Sequence, residues 1–194
     1  MDTGDQLRVE FDELLAAEFH YIAQTAIQAH EDRARVSSFY LVAVGSLVAA
    51  VFGTQYIDSN ILAMDVNLLF SALFGLLTFL GTSTVMQLAR LRAAWYESAL
   101  AMNQIKDYMI SENASLAKAF RWKTSTLPPK YKQDSVSYYQ AREVALISGL
   151  MFGAAILFLQ RTFVSPGSLQ LLLSAVLGAA AIVLQLYLYR QTLR

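Results

Sequence analysis

Cysteine is absent from the 194 residues, so the chain has no disulfide framework, thiolate metal site or cysteine nucleophile. Charge is scarce as well. Only 15% of the residues are Asp, Glu, Lys or Arg, where an ordinary soluble domain has about 25%. The 15 basic and 15 acidic residues cancel, which removes the broad electrostatic attraction that nucleic-acid binding needs. Proline occurs only at Pro128, Pro129 and Pro166. Hydrocarbon is what the chain has in abundance: 56% of it is apolar, and its mean hydropathy is +0.40.

That hydrocarbon is gathered into four charge-free runs, residues 36–57, 66–89, 144–160 and 162–189, of 22, 24, 17 and 28 residues. A helix needs roughly 20 such residues to cross ~30 Å of lipid hydrocarbon. The third run is short, but Tyr138, Tyr139 and Gln140 precede it and Arg142 can snorkel. The expected fold is an all-α integral membrane protein with four transmembrane helices. A soluble bundle would have too few polar faces to solvate it. Fourteen of the fifteen basic residues fall on one side of these spans; Arg161 is the exception. Positive charge marks the inner side, so both termini are expected in the cytoplasm. Residues 1–35 hold Asp2, Asp5, Glu10, Asp12, Glu13 and Glu18 and lack an apolar core. They resemble neither a signal peptide nor an Arg-rich transit peptide, and the expected location is the plasma (inner) membrane.

Periodicity divides the rest. Residues 1–35 read as a cytoplasmic amphipathic helix, with Phe11, Leu15, Phe19, Ile22 and Ala26 on one face. It should run without a breaker into a first hairpin, 36–89. Residues 90–142 read as a second cytoplasmic helix followed by a loop containing Pro128 and Pro129. A second hairpin, 143–190, and a short tail, 191–194, complete the chain. Along 91–109, Leu91, Trp95, Met102, Ile105 and Met109 form a seven-residue apolar stripe suited to assembly of a homo-oligomer. Trp122, between Arg121 and Lys123, suits either the lipid headgroup layer or ordinary packing.

The hairpins share spacing. Ser71 to Gly75 resembles Ser174 to Gly178 at an offset of 103, and Gly45 with Ala49 matches Gly149 with Gly153 at 104. This suggests two parallel repeats about an axis along the membrane normal. The ridges Gly45–Ala49–Gly53 and Gly149–Gly153 are expected to pack helices, because small residues let backbones approach in lipid.

Catalytic chemistry is thinly represented. His20 and His30 lie ten residues apart and about 80° around a helix, and neither has an acidic or histidine partner four residues away. No nucleophile elbow, phosphate-binding glycine loop or H-E-x-x-H occurs. The expectation is a protein that is not an enzyme and uses no cofactor or metal. No proline or ionisable residue interrupts a span, so a carrier site is not signalled. One polar stripe remains. Asn67, Ser71, Gly75, Thr78 and Thr82 share a face of the second span, and Gln170, Ser174, Gly178, Ala181 and Gln185 repeat the steps on the fourth. Such a face either lines an aqueous path in an oligomer or hydrogen-bonds between helices. Asp58 and Asp65 would then ring the outer mouth. The leading expectation is a homo-oligomeric ion channel lined by the second span. The alternative is a non-conducting membrane adaptor or effector that binds a cytosolic protein partner, and the third is a small-solute carrier.

Overall fold

The computed structural model describes residues 3–53, 63–163 and 167–194, with side chains for 11–51, 53, 66–163 and 167–194. Most of the described residues are helical, and none of them lies in a strand. Helix α1 spans Thr3–Gly53 and α2 spans Ala63–Glu112. Two short 3₁₀ turns, Ala114–Lys118 and Thr124–Thr126, precede α3, Val136–Phe163, and α4, Ser168–Thr192. The length of α1 follows from its composition, because neither glycine nor proline occurs between Gly4 and Gly45. Beyond the paired prolines, Ser135 starts α3: its Oγ accepts the Tyr138 N–H at 3.2 Å, satisfying one of the donors a helix start leaves open.

All four helices include segments long and apolar enough to cross a membrane, so the chain has the architecture of a four-span, multi-pass membrane protein. Its fourth helix makes the physical case. On α4 the buried residues are Ser174, Gly178, Gln185 and Tyr189, while Leu169, Leu172, Val176, Val183 and Leu184 face outward. A helix in water would place these two sets the other way round.

The chain divides into two compact units. One combines Met1–Asp32 with Leu91–Lys132. Within it α1 and α2 run antiparallel: Thr25 Oγ1 lies 3.1 Å from Ser98 Oγ, Lys106 Nζ sits over the Phe19 ring, and Phe11 meets Tyr108 edge-on. The segment after α2 folds back along it. Buried Asn103 donates from Nδ2 to the Lys123 carbonyl at 3.1 Å, and Asp107 Oδ2 accepts the Thr124 N–H at 3.2 Å. Further along, buried Arg92 donates from Nε to the Lys130 carbonyl at 3.2 Å, and Lys130 pairs with Glu97 at 3.3 Å. These polar side chains supply partners for the loop backbone.

The other unit combines Arg33–Arg90 with Gln133–Arg194. Here α3 and α4 touch through their backbones. A Cβ added at Gly149 would lie 2.7 Å from the Gly178 oxygen, and one at Gly178 would lie 2.8 Å from the Gly149 oxygen. A Cβ at Gly153 would lie 3.0 Å from the Ser174 oxygen. Only glycine permits this approach. Phe158 of α3 packs against Phe70 and Phe74 of α2.

Candidate functional site

The polar face of α2 engages the other helices of its own unit. Ser71 Oγ donates to the Ala155 carbonyl of α3 at 2.9 Å. Thr78 and Thr82 return their hydroxyl protons to the carbonyls of Phe74 and Thr78, each at 2.9 Å. Thr82 Oγ1 also accepts from Gln185 Nε2 of α4 at 3.1 Å. The same Nε2 donates to Ser148 Oγ of α3 at 2.9 Å, and Ser148 Oγ donates to the Thr78 carbonyl at 3.2 Å. Asn67 is half-buried, and a Cβ at Gly75 would meet nothing within 4 Å.

This polar node gathers side chains from four helices. Ser148 is 0% exposed, Gln185 3% and Tyr40 of α1 1%. Gly81 opposes them: a Cβ there would lie 2.6 Å from both Ser148 Oγ and Tyr40 Oη. Sequence periodicity singles out Thr82 and Gln185 but passes over Tyr40, Gly81 and Ser148. Tyr40 is one aromatic among many in an apolar run, and a lone serine or glycine there carries no periodic signal. Arg33 and Ser137 form a second buried contact.

The remaining expected site residues are dispersed. Gly149 and Gly153 lie in the α3–α4 contact described above. Gly45 and Gly53 have nothing within 4 Å of their Cβ positions, and Ala49 is exposed. Of the expected mouth carboxylates, Asp58 lies outside the described residues, as does the side chain of Asp65. On the assembly stripe, Leu91 and Met102 are half-buried, and Trp95 carries the Arg92 guanidinium 4.4 Å above its ring. Trp122 is exposed. His20 Nε2 accepts from Gln24 Nε2 at 3.0 Å on an exposed turn.

Ile105 and Met109 of the stripe line a large groove in the first unit, about 1040 Å³ in volume. Phe11, Leu15 and Phe19 of α1 form its other wall, and Leu116 and Phe120 line it as well. Asp12, His20, Lys106 and Glu112 stand among these apolar walls. The amphipathic face of residues 1–35 therefore does not close completely against α2. It leaves an apolar trough bordered by charges of both signs.

Comparison with known proteins supplies no assignment: the chain matches no protein-family model, no curated protein and no solved structure.

Proposed function

We propose that the protein is a non-conducting membrane adaptor, anchored by four spans, that captures an amphipathic helix of a cytosolic protein in the Phe11–Phe120 groove. What carries this reading is the direction of the α2 stripe. A channel lined by the second span needs Ser71, Thr78 and Thr82 to face an aqueous axis. Their hydroxyls are instead taken up by Ala155, Phe74 and Thr78 carbonyls and by Gln185. Hydroxyls that already have partners gain little by facing water.

The groove supports the second half of the reading. Helices dock into apolar troughs through anchor residues on one face, and aromatic and methionine walls accommodate them. Lys106 and Glu112 at its border would orient such a helix rather than hold it. No catalytic role enters this proposal.

Two measurements test it. Purified protein in planar bilayers should pass no single-channel current at any voltage. In cells, a photoreactive side chain replacing Phe11 should give a discrete adduct, and the same group replacing Leu14, which is exposed and outside the groove, should not. A stepwise current abolished by Thr78→Leu would restore the channel reading and refute this one.

A further inference from the structure

Charge is divided within the first unit. Residues 11–32 hold five acidic residues and no Lys or Arg, whereas residues 113–132 hold five Lys or Arg and no acidic residue. On α1, Glu13, Leu14, Ala17, Glu18 and Tyr21 follow three- and four-residue steps along one face. All five are exposed, Leu14 at 66% and Tyr21 at 63%, and none of them lines the groove. In the basic segment Trp122 is 58% exposed, and Lys118 and Arg121 before it are exposed as well. Among the described residues, Glu13, Glu18, Lys118 and Arg121 form no ion pair. The two surfaces share a level. Asn103 of α2 holds the Lys123 carbonyl and Asp107 the Thr124 N–H, while Lys106 between them sits over Phe19 of α1. Trp122 therefore stands near the level of Phe19, which lies between Leu14 and Tyr21 along α1.

We infer that the Glu13–Tyr21 face of α1 docks on the Trp122 segment of a second copy of this chain. Copies that stand side by side with their α1 helices parallel keep these levels. Glu13 and Glu18 of one copy then meet Lys118 and Arg121 of the other, and Trp122 seats against Leu14, Ala17 and Tyr21. Opposite charges steer such a contact and fix its register, while a tryptophan taken out of water supplies much of its affinity. An acidic helix of another protein, or an anionic membrane surface, would cover the Trp122 segment and leave the α1 face bare. A second copy matches both surfaces at once. The contact uses the face of α1 turned away from the groove, so it leaves the groove open and does not depend on the adaptor role.

Two differently tagged copies of the full chain, expressed together and probed in native membranes, test the contact. The chain has no cysteine of its own, and Ala17 and Ala119 are both exposed. Ala17→Cys in the first copy should be joined to Ala119→Cys in the second by a short bis-maleimide. Glu13→Lys with Glu18→Lys in the first copy should cut the joined product about tenfold, and so should Lys118→Glu with Arg121→Glu in the second. The two reversed copies together should restore it, because their charges are again opposite. Copies that had merely misfolded could not rescue each other. Trp122→Ala in the second copy should also lower the product about tenfold. No joined product from the two charge-intact copies, or reversed copies that stay apart when combined, would overturn the proposal. So would a photoreactive residue replacing Trp122 whose adducts hold only lipid or another protein.

Discussion

Single glycines decide how closely these helices approach, and two of them make opposite demands. Gly178 faces the Gly149 oxygen at a distance that leaves no room for a Cβ, whereas the Cβ position of Gly75, 103 residues earlier, is open. Backbone atoms cannot rotate aside as a flexible side chain can. Gly178→Leu should therefore force α3 and α4 apart, at a cost of at least ~1–3 kcal/mol. Gly75→Ala should be tolerated. Thermal unfolding in detergent should show a large loss for the first and none for the second. A comparable loss for both would mean that α1 and α2 also depend on close glycine contact. The node around Ser148 works by a different principle. Gln185 Nε2 links hydroxyls of two other helices, and each such bond in lipid is worth only ~0.6 kcal/mol on average. Its effect is to fix which faces meet rather than to supply most of the stability.

At the scale of elements, α2 performs two tasks along its length. Its first half packs with α3 and α4 through hydroxyls and aromatic rings, and its second half holds down the segment that follows it. Asn103 is central to the second task because it is buried and meets the Lys123 carbonyl directly. Asn103→Ala should remove that buried bond, at ~0.5–1.5 kcal/mol, while the carbonyl keeps its bonds from the Thr126 N–H and Oγ1. Trypsin should then cleave after Arg121 and Lys123 several-fold faster, up to about tenfold, since opening by 1.4 kcal/mol is a factor of about ten. Glu97→Gln should leave the cleavage rate within about twofold, because its pair with Lys130 is solvent-exposed and such pairs contribute little. If Asn103→Ala is cleaved no faster than the parent, the 113–135 segment is held by its other contacts.

At the scale of the molecule, the proposed orientation makes a direct prediction. Cysteines introduced at Ser59 and Ser165 should react with a membrane-impermeant reagent added to intact cells, and one at Ser125 should not. These positions fall in the connections between spans one and two, spans three and four, and in the basic segment 90–142. The reverse pattern would invert the topology and remove the groove at Phe11–Phe120 from the cytosol. Residues 1–32 and 91–132 form one compact unit, which joins the amphipathic helix to the assembly stripe. Ile105 and Met109 consequently face Phe11 and Leu15 across the same trough.

Composition alone determined the coarse architecture. Four charge-free runs in a chain with 15% charged residues must escape water, and helices are the way a chain of this kind can do so in lipid while satisfying its backbone. Helical periodicity also identified the face holding Ser71, Thr78 and Thr82 and the fourth-span position Gln185, because a period of 3.6 residues is written in local spacing. Periodicity says which side chains share a face but not what that face meets. That Ser71 meets Ala155, that Gln185 reaches both Thr82 and Ser148, and that Gly149 closes on Gly178 while Gly45 stays open depends on how segments 29 to 103 residues apart are brought together. A hydroxyl bound for water and one bound for a neighbouring helix look the same along the chain. Only packing distinguishes them, because the partner atom belongs to a different part of the chain.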